Sequence, residues 1–430
     1  MSAGAVPGQE GVVAGGPVGP AGTAGAARSV GAPAHDPGVV PAATGESVLA
    51  AGARARPGGP GAGNAIASRA LKSMVDIPEI GIVLAVVVAF VVFASINPLV
   101  ASVSELQNLG VDLAGFGVLA IGESFTIITG GIDLSPGSLT AFFCVISAWL
   151  LASAHLPVLV VFVVTVLFGA LWGLWHGFLI TRLGIAPFVA TLVTFIFAAG
   201  ANEAIAPNPI PFANPTFLAV AGSNVARVPV AVLVLVVIAL VAWFFLERTY
   251  VGREIYAVGG NREAARLAGI PTARRTVTAY MVSGACAGVV GIIVASHLTS
   301  GTADSVSGWE LIAIAAAVIG GVSLAGGQGR VVGVVAGAAL LVVLRDGLVA
   351  VNVNAYYQSM VVGVVLLVAI VLDRFRARRL ERSGGSTKGV PTVNAGREGD
   401  AVAGGPLPGL ASLGGPVASS EEAQPGQPAH

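Results

Sequence analysis

The sequence predicts an all-α, polytopic membrane protein of about ten transmembrane helices with disordered termini. Three observations carry that reading. Apolar residues make up 55% of the chain and charged residues only 10%, with a mean hydropathy of +0.86. No soluble core needs so much apolar surface with so few solvating charges. The apolar residues also gather into runs near the ~20 residues that a helix needs to cross ~30 Å of hydrocarbon. Finally, the basic residues between those runs fall almost entirely on one side.

Taken in order, residues 1–70 are rich in Gly, Ala and Pro and have no periodicity. They lack the apolar surface that would offset ordering entropy, so a disordered cytoplasmic tail is expected. No basic stretch there leads into an apolar one, which argues against a signal peptide. Residues 71–382 form the transmembrane domain. Its apolar segments lie at about 79–100, 109–129, 138–155, 157–180, 186–206, 228–246, 276–297, 309–324, 331–350 and 358–373. Segment 309–324 is short for a span and is expected to be tilted, broken or only partly spanning. Residues 383–430 repeat the composition of the amino terminus and are expected to be a second disordered tail.

With the amino terminus inside, ten spans place Arg182, Arg248, Arg253, Arg262, Arg266, Arg274, Arg275 and Arg330 on the cytoplasmic side. The terminal cluster Arg374 to Arg382 joins them, and only Arg227 and Arg345 fall outside. The positive-inside rule then puts both termini in the cytoplasm. Net charge is zero, so the sum points to no partner. Cys144 and Cys286 lie in separate apolar runs with no metal-ligand spacing, and read as small packing residues. No Asp, Glu or His set has metal or catalytic spacing.

Two sets of glycines speak to architecture. Gly169, Gly173 and Gly177, and again Gly329, Gly333 and Gly337, recur every four residues and open one helix face to close approach. This pairing relates spans four and nine, as an inverted repeat would. A second echo, Ile128-Thr-Gly-Gly-Ile-Asp-Leu-Ser-Pro-Gly-Ser138 against Ile319-Gly-Gly-Val-Ser-Leu-Ala-Gly-Gly-Gln328, relates spans two and eight, as a parallel repeat would. In the first copy Ser135 is a capping candidate for a helix starting at Pro136, and Asp133 either braces the turn or meets a cytoplasmic partner.

The loop from Glu247 to Arg275 is the one sizeable basic segment between spans. Within it a short helix is punctuated by local chemistry. Asn261 is a cap, Glu263 suits the positive helix start, and Gly269 suits a left-handed ending before Pro271. Ala264, Leu267 and Ala268 share one face. Such a helix suits docking in a groove of another protein or lying among lipid headgroups.

Intramembrane polar residues are the candidates for a translocation path. Glu123 lies mid-span, where an unpaired carboxylate costs about 2.5–3.5 kcal/mol, so it must face a cavity, find a partner or be protonated. Asn202 and Glu203 end span five, Asp346 follows Arg345 near the end of span nine, and Trp172 lies on span four beside Trp175 and His176. For the aromatics, sugar stacking competes with interfacial anchoring and helix packing.

These motifs together resemble the permease subunit of bacterial ABC importers for ribose and related simple sugars. The resemblance rests on Ile128–Ser138, Gly252–Asn261, Ala265–Ile270, Glu310–Gly327 and Ala355–Gln358, and spans about residues 75–380. It implies that 261–270 is a coupling helix gripped by an ABC ATPase subunit. It further implies a second copy of the permease, an extracytoplasmic sugar-binding protein and a bacterial plasma membrane. Glu123 departs from the apolar residue the family pattern carries there. The chain has no Gly-x4-Gly-Lys-Ser/Thr phosphate loop. It is therefore expected to be no enzyme and to bind no cofactor, with ATP and Mg held by the partner ATPase and nucleic acid not among the partners. A proton-driven secondary transporter using Glu123, Glu203 or Asp346 is the alternative from another class. Nucleosides, autoinducer furanones or branched-chain amino acids are alternative cargoes, and a non-transporting scaffold is a further rival.

Overall fold

The computed structural model describes residues 78–371, other than 355, 359 and 369. The two expected tails and the basic cluster after Asp373 lie outside the described residues. The described chain is built from helices: α1 (Pro78–Ile96), α2 (Val103–Ile128), α3 (Pro136–Ala152), α4 (Val158–Arg182), α5 (Pro187–Ile205), α6 (Pro215–Gly222), α7 (Val230–Arg248), α8 (Tyr250–Gly260), α9 (Arg262–Leu267), α10 (Thr272–Leu298), α11 (Trp309–Ile319) and α12 (Val331–Ala350). A further apolar helix follows at Tyr356–Val368. Two strand pairs sit in the connections: β1 (Ile210–Pro211) with β4 (Ser300–Gly301), and β2 (Asn224–Val225) with β3 (Val228–Pro229).

Each of the ten expected apolar segments holds a helix among the described residues, but they are not equal. Seven helices among the described residues are long and apolar enough to cross a membrane: α1, α2, α4, α5, α7, α10 and α12. The other three, α3, α11 and Tyr356–Val368, are shorter. The 11 residues of α11 reach about 16 Å, half the hydrocarbon thickness. Its continuation breaks at Gly320 and Gly321, the latter at φ +92°, so segment 309–324 is broken as expected. α3 begins at Pro136, directly after the non-helical residues 131–135, and ends at Ala152.

Burial sorts the spans. Within its most apolar stretch α2 is 89% buried and α10 is 67% buried, whereas α1 is 11% buried. α2 and α10 are therefore the central pair, with apolar side chains of α1, α4, α5 and α7 left outward for lipid. Each central helix is second in its set of five and is followed by a short helix. They run in opposite directions, since α2 ends and α10 begins at the end that carries Arg182, Arg262 and Arg275. This order is that of an inverted repeat, in agreement with the glycine spacing. The amino-terminal ends of α3 and α11 abut, with the Glu310 carboxylate against Gly137.

The glycine stripes pack within the chain. Side chains at Gly169 and Gly173 would collide with the backbone of Gly284 and Tyr280 on α10, and one at Gly177 would press on Val277. Gly333 and Gly337 give α12 the same access to Gly320 and Ala316. Gly329 does not belong to that stripe. It precedes α12, at φ +155°, and faces Val322.

Candidate functional site

The region from α8 to α9 is assembled by caps and tertiary bonds, because a six-residue helix cannot hold itself in water. Asn261, in extended geometry, accepts the N–H of Ala264 at 2.9 Å. Gly269 takes φ +82°, letting Ile270 N–H reach back to the Ala265 carbonyl at 3.0 Å. Glu263 and Arg266 pair at 2.6 Å on the surface. The bond to Arg266 holds the Glu263 carboxyl below its usual range, and its counterpart raises the guanidinium.

Beneath α9, Ala265 is buried and Arg262 donates to Thr276 Oγ1 at 2.7 Å. α8 is capped by Thr249, which accepts from Gly252 N at 3.0 Å, and buries Ile255 and Val258. Arg275 of α10 forms an ion pair with Glu254 of α8. Tyr256 donates to the Gly329 carbonyl at 2.8 Å. Burial, with the Glu247 charge, pushes the Tyr256 hydroxyl up to about 12, so it remains a donor at any working pH. What this scaffold presents is an outward face of Ala264, Leu267 and Ala268, with Leu267 76% exposed.

A second polar knot closes the α2–α3 turn. Glu123 is fully buried, and its Oε1 accepts the N–H of Asp133 at 3.1 Å. Asp133 Oδ1 in turn accepts from Ser135 N at 2.9 Å and Ser135 Oγ at 2.6 Å, and Oδ2 accepts from Ser283 of α10 at 2.9 Å. Asp133 thus braces the turn and is closed to a cytoplasmic partner. Ser135 does not cap α3 with its side chain, because Asp133 has captured the hydroxyl. Thr191 of α5 joins the knot by accepting from Leu134 N at 3.1 Å.

Residues 106–370, more than half of the chain, match the family described as branched-chain amino acid transport system, permease component. The chain belongs to this permease family. A ribose import permease protein of Haemophilus influenzae is 34% identical over 68% of this chain and 92% of its own length. A probable ABC transporter permease protein of Sinorhizobium fredii is 36% identical over 70% and 90%. A D-allose transport system permease protein of Escherichia coli is 32% identical over 68% and 90%. No solved structure matches the chain.

The expected path residues of the permease do not converge. Glu123 meets the backbone of a turn. Asn202 is buried and donates to the Ser138 carbonyl at 3.2 Å, tying α5 to α3. Glu203 is exposed. Trp172 lines an open apolar groove of about 460 Å³ between α4 and α5, with Trp175 and Phe197. His176 is buried and bonded to Thr194 at 2.8 Å.

Asp346 is the exception. It lies against Asp112 and Arg345, beside a cavity of about 150 Å³ at the end opposite to α9. Asp112, His297, Ser305, Trp309 and Arg345 line that cavity, and the Arg345 guanidinium sits 5.3 Å above the Phe116 ring. At roughly 30 Å³ per water it has room for about five waters. Sequence reading passed over Asp112, although it breaks the apolar run of α2 as plainly as Glu123 does.

Proposed function

We propose that this permease is the membrane subunit of an ATP-binding-cassette importer for a monosaccharide, working as a pair of copies in a bacterial plasma membrane. The observation that carries the reading is the outward face of Ala264, Leu267 and Ala268, held by Arg262, Glu254 and Tyr256 onto the spans. An exposed leucine on a doubly capped, rigidly anchored helix is a docking element for a protein partner. That partner is the ATPase, which holds ATP and Mg; the permease contributes no phosphate loop and hydrolyses nothing itself. An extracytoplasmic binding protein delivers the sugar at the opposite end, where Asp112, Arg345 and Trp309 offer the carboxylate, guanidinium and aromatic face that suit a polyhydroxylated ring. Names carried by relatives, ribose import and D-allose transport, support a monosaccharide over a branched-chain amino acid. Both termini and α9 lie on the cytoplasmic side in this reading, following the basic end.

The experiment is reconstitution of the permease in liposomes with a cognate ATPase and sugar-binding protein. Uptake of a labelled monosaccharide that needs ATP and is blocked by vanadate is the expected result. Uptake that runs on a proton gradient without nucleotide would replace this reading with the secondary transporter.

A further inference from the structure

Three glycine pairs far apart in sequence meet at one point. They are Gly130–Gly131 after α2, Gly259–Gly260 at the end of α8, and Gly326–Gly327 between α11 and α12. Gly327 N–H donates to the Ile128 carbonyl at 2.9 Å. A side chain on Gly259 would overlap that carbonyl and stand 2.6 Å from Gly327 N. One on Gly327, itself at φ +72°, would stand 2.7 Å from Gly260 Cα. The two sequence echoes are thus two turns that touch each other, directly and beside the glycines of α8.

We infer that this glycine junction is the transmission point of the permease, with Gly259 and Tyr256 as positioning residues that make the inner ends of α2 and the α11–α12 loop move with the coupling helix. The inference rests on the reading of α9 as an ATPase-docking element and adds where its motion goes. Backbone meets backbone at the junction, so there is no side chain to rotate and absorb a displacement. Tyr256 bonds the loop a second time, at Gly329. Beyond the junction Gly131 abuts the Tyr280 hydroxyl of α10 and Pro187 of α5, and Gly320 abuts Gly333 of α12. The junction therefore reaches α10 and α5 through Gly131. Ion pairing of Glu254 with Arg275 fixes α8 to α10 but leaves α2 to the glycines, and the loop to the glycines and Tyr256.

The test uses the full transporter in liposomes and reads sugar imported per ATP hydrolysed, together with recovery of the intact complex. Tyr256→Phe removes one hydrogen bond and is expected to lower the ratio about threefold with assembly and ATP hydrolysis kept. Gly259→Ala is expected to lower it about tenfold or more. An unchanged ratio in both variants, whatever their yield, overturns the inference. A second measurement stands even where Gly259→Ala fails to fold. Spin labels at Arg253→Cys on α8 and Ala325→Cys, both exposed and off the docking face, are expected to keep their separation between the nucleotide-free and ATP-trapped complex. The separation of Ala325→Cys from Leu183→Cys is expected to change. If the first distance changes as much as the second, the junction does not move as a unit and the inference fails. A wild-type complex without ATP-driven uptake overturns the underlying reading as well; an active wild type with these variant results overturns the junction alone.

Discussion

Glu123 Oε1 accepts the backbone N–H of Asp133 at 3.1 Å across the end of α2, while its buried Oε2 meets no donor. The partner of Glu123 is a turn. The acid closes the connection between α2 and α3, while Asp133 spends both its oxygens on Ser135 and Ser283.

A glutamine retains the acceptor oxygen, and a leucine does not. Glu123→Gln is expected to keep both thermal stability and uptake near wild type. Glu123→Leu orphans a buried N–H and is expected to cost about 1–3 kcal/mol. Thermal unfolding of the purified permease measures both. Loss of uptake in a well-folded Glu123→Gln would show that the negative charge itself is used, and would favour a proton-driven cycle.

The docking face gives a second expectation. Leu267 is 76% exposed, so Leu267→Asp is expected to leave the helices intact. Placing a charge in an apolar groove is expected to lower recovery of the ATPase with the permease by about tenfold or more. Full recovery in a pull-down from detergent would remove α9 from the interface.

How much of this was legible differs from residue to residue. The ends of α9 were, because Asn261 and Gly269 act on the next three residues and on their own backbone. Ten apolar segments were also legible, since hydrophobic length is local. What Glu123 touches was not, because the donor is a main-chain N–H that any residue at 133 would present. The meeting of Ile128, Gly259 and Gly327 was not legible either, as it depends on how three turns stack. Similar glycine patterns at 128–138 and 319–328 read as duplication, and close approach between them also calls for the same residue in both. Asp112 was legible and missed: the cost argument that singled out Glu123 applies equally to it.

Close packing of α4 on α10 gives a third expectation. A side chain at Gly173 would run into the backbone at Tyr280, whereas Gly200 has open space around it. Gly173→Ala is expected to destabilise by about 1–3 kcal/mol or to abolish folding. Gly200→Ala is expected to be neutral or slightly stabilising in the same helix-rich setting, by up to about 1 kcal/mol. Equal melting of the two variants would mean that α4 does not approach α10 this closely.

Orientation gives the last. The Ala154 loop lies at the end of α3 opposite to the α2–α3 turn, and the α8–α9 scaffold lies at the basic end. Cys144 and Cys286 are buried and silent to a water-borne thiol reagent. A single exposed cysteine therefore reports its own side of the membrane. In intact cells stripped of their outer layers, Ala154→Cys is expected to react with a membrane-impermeant maleimide and Ala268→Cys to react only after lysis. The positive-inside bias predicts that order because Arg248, Arg253, Arg262, Arg274 and Arg275 would otherwise all have to be translocated. The reverse labelling would turn the whole chain over. It would also leave α9 facing away from any cytoplasmic ATPase, and so would end the proposal of a nucleotide-driven importer without any assay of transport.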